Sequence, residues 1–160
     1  SNLKDKIMAL EKKEVPSCVY LSAKKTLTIP EVSDFAAENV EKLYMEAQKL
    51  NLTVSGPCEF IYINCTGEMD KVFDLKVVIP IDKKGDDSEI FEYFESSSYE
   101  CITKEYKGSM DGIGNAWESM MNEAQSNNIA LSPQNHCREV YKTWLGFESS
   151  DNITELQTQI

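Results

Sequence analysis

The chain has 160 residues, a formal net charge of −11, an ordinary apolar content and no low-complexity tract. It describes one folded domain, or two half-size units sharing a core, and no apolar run is long enough to span a bilayer. It excludes the excess of Lys and Arg with which nucleic-acid binders neutralise phosphates. Five cysteines (18, 58, 65, 101 and 137), odd in number and without a CxxC pair, favour thiols in a reducing cytosol over disulfides or a zinc site.

Residues 1–16 read as an N-terminal extension, too charged for a secretory signal. "SCVYLSAKKTLTI" (17–29) reads as a strand. Pro30 suits the first turn of a helix, with Glu31 and Asp34 at its positive end. Val32, Phe35, Ala36, Val40, Leu43, Ala47 and Leu50 then recur at helical spacing, which predicts a helix ending near Asn51. "SGP" breaks the chain, and "CEFIYIN" (58–64) and "VFDLKVVIP" (72–80) follow as strands around "CTGEMD".

"DKKGDDSE" (82–89) reads as a polar linker, after which the same order returns. "YECITKEY" (99–106) is a strand and "KGSMDGIG" a turn; Ile113, Ala116, Trp117, Met120 and Ala124 mark a second helix. "CREVYKTW" (137–144) and "NITELQTQI" (152–160) close the chain as strands. In both halves the helix is followed by a polar break, an apolar pair (Leu52/Val54 and Ile129/Leu131) and a Ser-Pro or Ser-Gly-Pro stop. A unit of this size buries too little alone, so the two should pack together. The expected fold is α+β, with two strand-helix-strand-strand modules (about 17–82 and 90–160) related by a pseudo-two-fold axis. Its sheets are antiparallel, with the helices on one side.

Glu139 and Tyr141 stand two apart on a strand and therefore share a face. Two readings are open. Glu139 pairs with Arg138 or Lys142 at the surface, or it points inward beside an aromatic wall. Trp117 lies on the apolar stripe of the second helix, and Tyr44 one residue off that of the first. Phe60, Tyr62 and Tyr106 are further wall candidates, and Met120 and Met121 offer soft, adaptable surface. His136, the only histidine, has no second ligand pair at metal spacing, so no metal is expected. The glycines of "KGSMDGIG" lack a phosphate-loop pattern and read as a turn.

"SGPCEFIY" and "FDLKVVIPI" in the first half, and "YKGSMDGIGNAWESMMNEAQSNNIALS", "REVY" and "NITELQTQI" in the second, together resemble the GyrI-like small-molecule-binding family. The same domain serves as the effector-binding part of bacterial multidrug-sensing transcription regulators. The resemblance spans residues 17–160 and implies a stand-alone cytoplasmic member without direct nucleic-acid or membrane binding and without a cofactor. It implies a cleft between the modules, lined by aromatics, with a carboxylate at its floor, that takes hydrophobic, aromatic and often cationic compounds. Glu139 and Tyr141 match the floor, and Glu155 in "TELQTQI" matches the family's second carboxylate. The alternative is a hydrolase that opens the cyclopropane ring of DNA-alkylating natural products, with Glu139 and Tyr141 as catalytic groups and Trp117 holding the electrophile. A gyrase-inhibitor type of protein interaction stands third, and haem binding is further off because His136 is the only imidazole.

Overall fold

Thr28 opens the first helix with a capping box: its backbone N–H and its hydroxyl both donate to Glu31 Oε1, at 2.9 and 2.8 Å. Pro30 sits in the first turn, where its missing N–H costs nothing. A 3-10 turn at Ile29–Glu31 leads into helix α1 (Val32–Lys49). The computed structural model describes residues 10–134 and 136–160. A 3-10 turn at Met110–Gly112 leads in the same way into α2 (Ile113–Ser126).

The two helices also end alike. Asn51 and Asn128 adopt positive φ (57° and 54°), and the next residue closes a six-residue loop backwards. Leu52 N–H donates to Ala47 O at 2.8 Å, and Ile129 N–H to Ala124 O at 3.0 Å. These are Schellman endings with asparagine in the place usually taken by glycine. The apolar residue after each asparagine is therefore part of the helix stop.

Among the described residues, eight strands form one antiparallel sheet: β1 (Glu11–Val15), β2 (Cys18–Leu27), β3 (Glu59–Ile63), β4 (Phe73–Ile81), β5 (Glu92–Ser96), β6 (Tyr99–Lys107), β7 (His136–Thr143) and β8 (Ile153–Gln159). Their order is β1-β6-β8-β7-β3-β4-β2-β5. The halves β6-β8-β7 and β3-β4-β2 mirror each other about the central β3–β7 pair, as the repeat predicts. β1 and β5 each precede one module yet pair with the other, on β6 and β2.

The sequence reading left both of these edge strands out. Of the expected extension, residues 1–9 lie outside the described residues, while 11–15 form β1. Its sequence "EKKEV" carries no apolar alternation, as suits an exposed edge. Pairing with β6, not local pattern, makes it a strand.

The sheet is strongly curled. In a flat sheet β5 and β6 would lie six strand spacings apart, about 29 Å. They are joined through residues 97 and 98 alone, a reach of about 11 Å. Side chains agree: Arg138 on β7 donates to Ser96 Oγ on β5 at 3.2 Å and lies 4.3 Å from the centre of the Tyr99 ring on β6. The face bearing Arg138 is therefore the inside of a half-barrel, and both helices cover the other face. Leu43 and Ala47 of α1 pack on Leu21, Phe60, Leu75 and Val77; Met120 and Ala124 of α2 pack on Ile102 and Leu156. α1 lies against β2 and β4, and α2 against β6, so the central β3–β7 pair runs beneath the gap between the helices.

Candidate functional site

Glu139 lies in that gap. It sits directly across from Phe60 in the β3–β7 ladder and from Leu156 in the β7–β8 ladder, both of which face the helices. Only 4% of it is exposed. Arg138 and Lys142, its neighbours in sequence, turn to the other face. Arg138 reaches Glu59 at 3.6 Å, and Lys142 pairs with Glu105 and Glu155. The surface-pair reading of Glu139 is thereby set aside.

Three neutral donors hold the carboxylate. The Tyr141 and Tyr62 hydroxyls donate to Oε1 at 2.5 and 3.0 Å, and Trp117 Nε1–H donates to Oε2 at 2.7 Å. Among the described residues no basic side chain pairs with it. Burial pushes the Glu139 carboxyl above the usual range, against the pull of its three donors. Burial and the adjacent carboxylate push both phenols well up, so they remain donors. The result is an electron-rich group in an apolar setting whose charge is solvated by hydrogen bonds without being neutralised.

Aromatic rings surround it. Phe60 meets the Tyr141 ring edge-on at 4.9 Å between centroids, and Tyr62 leans on Phe73 at 5.6 Å. Tyr44, half-exposed on α1, reaches the backbone of Cys58, whose carbonyl accepts the Tyr141 N–H at 3.1 Å. Glu139, Tyr141, Tyr62, Phe60 and Trp117 thus converge, with Tyr44 at their margin.

Three other sequence candidates lie elsewhere. Glu155 occupies the inner face of the sheet, opposite Val140 rather than Glu139. There it accepts hydrogen bonds from Lys13 at 2.9 Å, Thr103 at 2.9 Å and Gln157 at 2.8 Å. Burial works to raise its pKa, but these donors prevail and hold it below the usual carboxylate range. It clasps β1 to the sheet. Its odd-number offset from Leu156, which does share Glu139's face, explains the separation.

Tyr106 packs in the α2 core and donates its hydroxyl to Ser109 O at 2.7 Å. A Cβ at Gly112 would lie 2.2 Å from that hydroxyl, so a glycine of "KGSMDGIG" makes room for a tyrosine in the turn. Met120 is fully buried between Ile102 and Leu156, as core filling. Among the described residues no group of His, Cys, Asp and Glu is placed to hold a metal ion, and no helix is long and apolar enough to cross a membrane.

One aromatic escaped the sequence reading. Trp144, immediately after β7, is half-exposed and meets the Tyr141 ring edge-on at 5.8 Å. Residues three apart on a regular strand point to opposite faces, which would separate them. A register shift between Tyr141 and Thr143 breaks that alternation. Such a bulge re-aims the side chains beyond it.

No protein-family model matches the chain, and no curated protein does. Solved structures do. The EcmrR chain in a complex with DNA (EcmrR-RPo) aligns with 98% of this chain over 58% of its own length, at 20% identity and a TM-score of 0.79. The chain therefore spans little more than half of that protein. SAV2435 bound to tetraphenylphosphonium aligns with 95% of this chain and 93% of its own, at 15% identity and a TM-score of 0.67. A hydrolase encoded by lin2189 from Listeria innocua aligns with 93% and 90%, at 12% identity and a TM-score of 0.64. The EcmrR C-terminal domain alone matches nearly end to end, 96% against 97%, with a TM-score of 0.76. Likeness at such identities speaks to the fold, and it agrees with the paired modules, the single curled sheet and the motifs of both halves. The chain therefore has the GyrI-like fold, which it shares with these neighbours.

Proposed function

We propose that the chain binds hydrophobic, aromatic cations in the gap between its helices, with Glu139 as the counter-charge. The observation that carries this reading is a carboxylate 4% exposed, held by three neutral donors and, among the described residues, by no cation. Burying a charge without an opposite one is costly, and the usual escape is protonation, towards which Glu139 is already displaced. An organic cation supplies what the site lacks. Trp117, Tyr62 and Tyr141 then offer ring faces with an attraction for cations and a tolerance of many shapes. The site is closed by its own side chains, and Trp117 is the donor a ligand displaces most readily, since it comes from the helix and not the sheet. Tetraphenylphosphonium, the ligand of the SAV2435 neighbour, is a fitting first probe. Calorimetric titration of wild type and Glu139→Gln tests the reading: binding by wild type with marked loss in the variant is expected, and equal binding by both sinks it.

A second reading has support in the same residues and in the hydrolase neighbour. A carboxylate of raised proton affinity is, once ionised, a stronger base towards water than an exposed one. In opening a conjugated cyclopropane, the water oxygen bonds to the ring methylene and the strained C–C bond breaks. Its electron pair passes to the conjugated carbonyl, and the water proton goes to Glu139. Tyr141 or Trp117 would position the electrophile. Mass spectrometry of a cyclopropane-bearing alkylator incubated with the protein tests this: a water adduct above background that vanishes in Glu139→Gln is expected, and binding without any adduct leaves the chain a binder only.

A further inference from the structure

The loop after β7, residues 144–151, holds apolar side chains in solvent. Trp144 is 51% exposed, Leu145 63% and Phe147 52%. A contiguous run of large exposed apolar residues calls for a reason. This one is not loose chain. Asn152, wholly buried, accepts a hydrogen bond from Leu145 N–H at 2.7 Å and donates from Nδ2 to Gly146 O at 2.7 Å. Gly146 has φ of 111°, a conformation open to glycine and strained for other residues. Met110 N–H donates to Phe147 O at 2.9 Å, which ties the loop to the turn that begins α2. The fold fixes the backbone that carries these side chains and leaves them exposed.

Their place relative to Glu139 is also fixed. Trp144 meets Tyr141, and Tyr141 meets both Phe60 and the carboxylate. The bulge between Tyr141 and Thr143 is the device that brings Trp144 to this ring. The loop itself carries Glu148 and Asp151 and no basic residue. Lys107 on β6 lies 3.9 Å from Asp151 and offsets its charge, which leaves the loop acidic by Glu148.

Resting on the binding reading above, we infer that Trp144 is the outer platform of the Glu139 site. The preferred ligand is an elongated, flat, multi-ring cation, with its charged end at Glu139 and its far rings on the Trp144 indole. The ring of Tyr141 lies between platform and carboxylate, and its centroid is 5.8 Å from that of Trp144. A single-ring cation seated on Glu139 falls short of the platform. A fused or linked polycycle spans the two.

Calorimetric titration with ethidium, a flat multi-ring cation, and phenyltrimethylammonium, a single-ring one, tests the inference. Trp144→Ala should weaken ethidium about tenfold, within the range for a lost cation–aromatic or stacking contact, and leave phenyltrimethylammonium unchanged. Trp144→Tyr should recover most of the loss, and its thermal melt guards against a folding defect in the alanine variant. Glu139→Gln should weaken both cations. If ethidium binding responds to Glu139→Gln but not to Trp144→Ala, the platform is overturned and the binding reading stands. Equal weakening of both cations by Trp144→Ala also overturns the platform. If wild type binds neither cation, or Glu139→Gln changes nothing, both readings fall.

Discussion

The indole N–H of Trp117 on α2 lies 2.7 Å from Glu139 Oε2 on β7. This contact joins the second helix to the central strand pair, where the two modules meet. Trp117→Phe keeps an aromatic ring on the helix but removes its only donor, leaving one carboxylate oxygen unpaired in a buried place. The expected cost is about 1–3 kcal/mol in urea unfolding. A loss within error would mean that the bond adds nothing to the folded state.

Glu139→Gln should preserve shape and remove charge. Affinity for a permanent cation should fall by about 1–3 kcal/mol, while a neutral compound of similar shape is spared. Parallel titration of the two compounds decides between charge recognition and damaged packing, since packing damage weakens both alike.

The raised Glu139 pKa gives stability a pH dependence of definite sign. Between the unfolded carboxylate pKa and the raised folded value, the unfolded chain has lost this proton and the folded chain keeps it. Fewer protons bound in the unfolded state means that stability falls as pH rises through this window. The stability of wild type relative to Glu139→Gln should therefore decline from the ordinary carboxylate range upward, then level off. A permanent cation selects the ionised form, so its affinity should tighten over the same window. Urea midpoints and titrations across pH check both slopes; a flat difference between the two proteins contradicts the assignment.

Glu155 offers the opposite case, since its pKa is lowered on the other face of the sheet. Its contribution is present above the unfolded carboxylate pKa and is lost as pH falls through the lower folded value. Glu155→Gln should loosen β1 and lower stability at neutral pH by about 1–3 kcal/mol. Cation affinity should be unchanged. A variant that folds normally but binds cations poorly would put Glu155 back among the ligand contacts.

The helix endings invite a conservative test of the repeat. Asn51 and Asn128 hold positive φ at equivalent places. Alanine at either position should cost about 1–2 kcal/mol and glycine much less, because the left-handed conformation crowds a Cβ. Similar losses at the two sites in thermal or urea melts are expected, and a marked asymmetry would show that the two stops differ in strength.

Much of the fold is legible along the chain because local periodicity reports it. The helical stripe from Val32 to Leu50 and the alternation in "FDLKVVIPI" come from burial on one face of an element, and burial acts residue by residue. The doubled order of elements likewise stands in the sequence, down to the apolar residue after each helix. The pair Glu139 and Tyr141 is legible for the same reason, since both lie on one uninterrupted stretch of β7. Long-range pairing decided the rest. β1 is a strand because β6 accepts it, and its charged sequence shows no pattern of its own. Glu155 was drawn to the inner face by its register against Val140, and a shift of one position would have reversed it. Tyr62 and Trp117 come from a strand and a helix that only packing brings onto the Glu139 oxygens. Trp144 was hidden by a bulge, which adds one residue to a period of two and so moves the side chains beyond it out of phase. The sequence by itself determined the helices and the six strands of the two modules, and that a carboxylate and a phenol share a face. Only the tertiary structure decided that this face is buried, which donors meet there and that Glu155 rather than Glu139 meets a lysine, because these depend on register and curl between strands far apart in the chain.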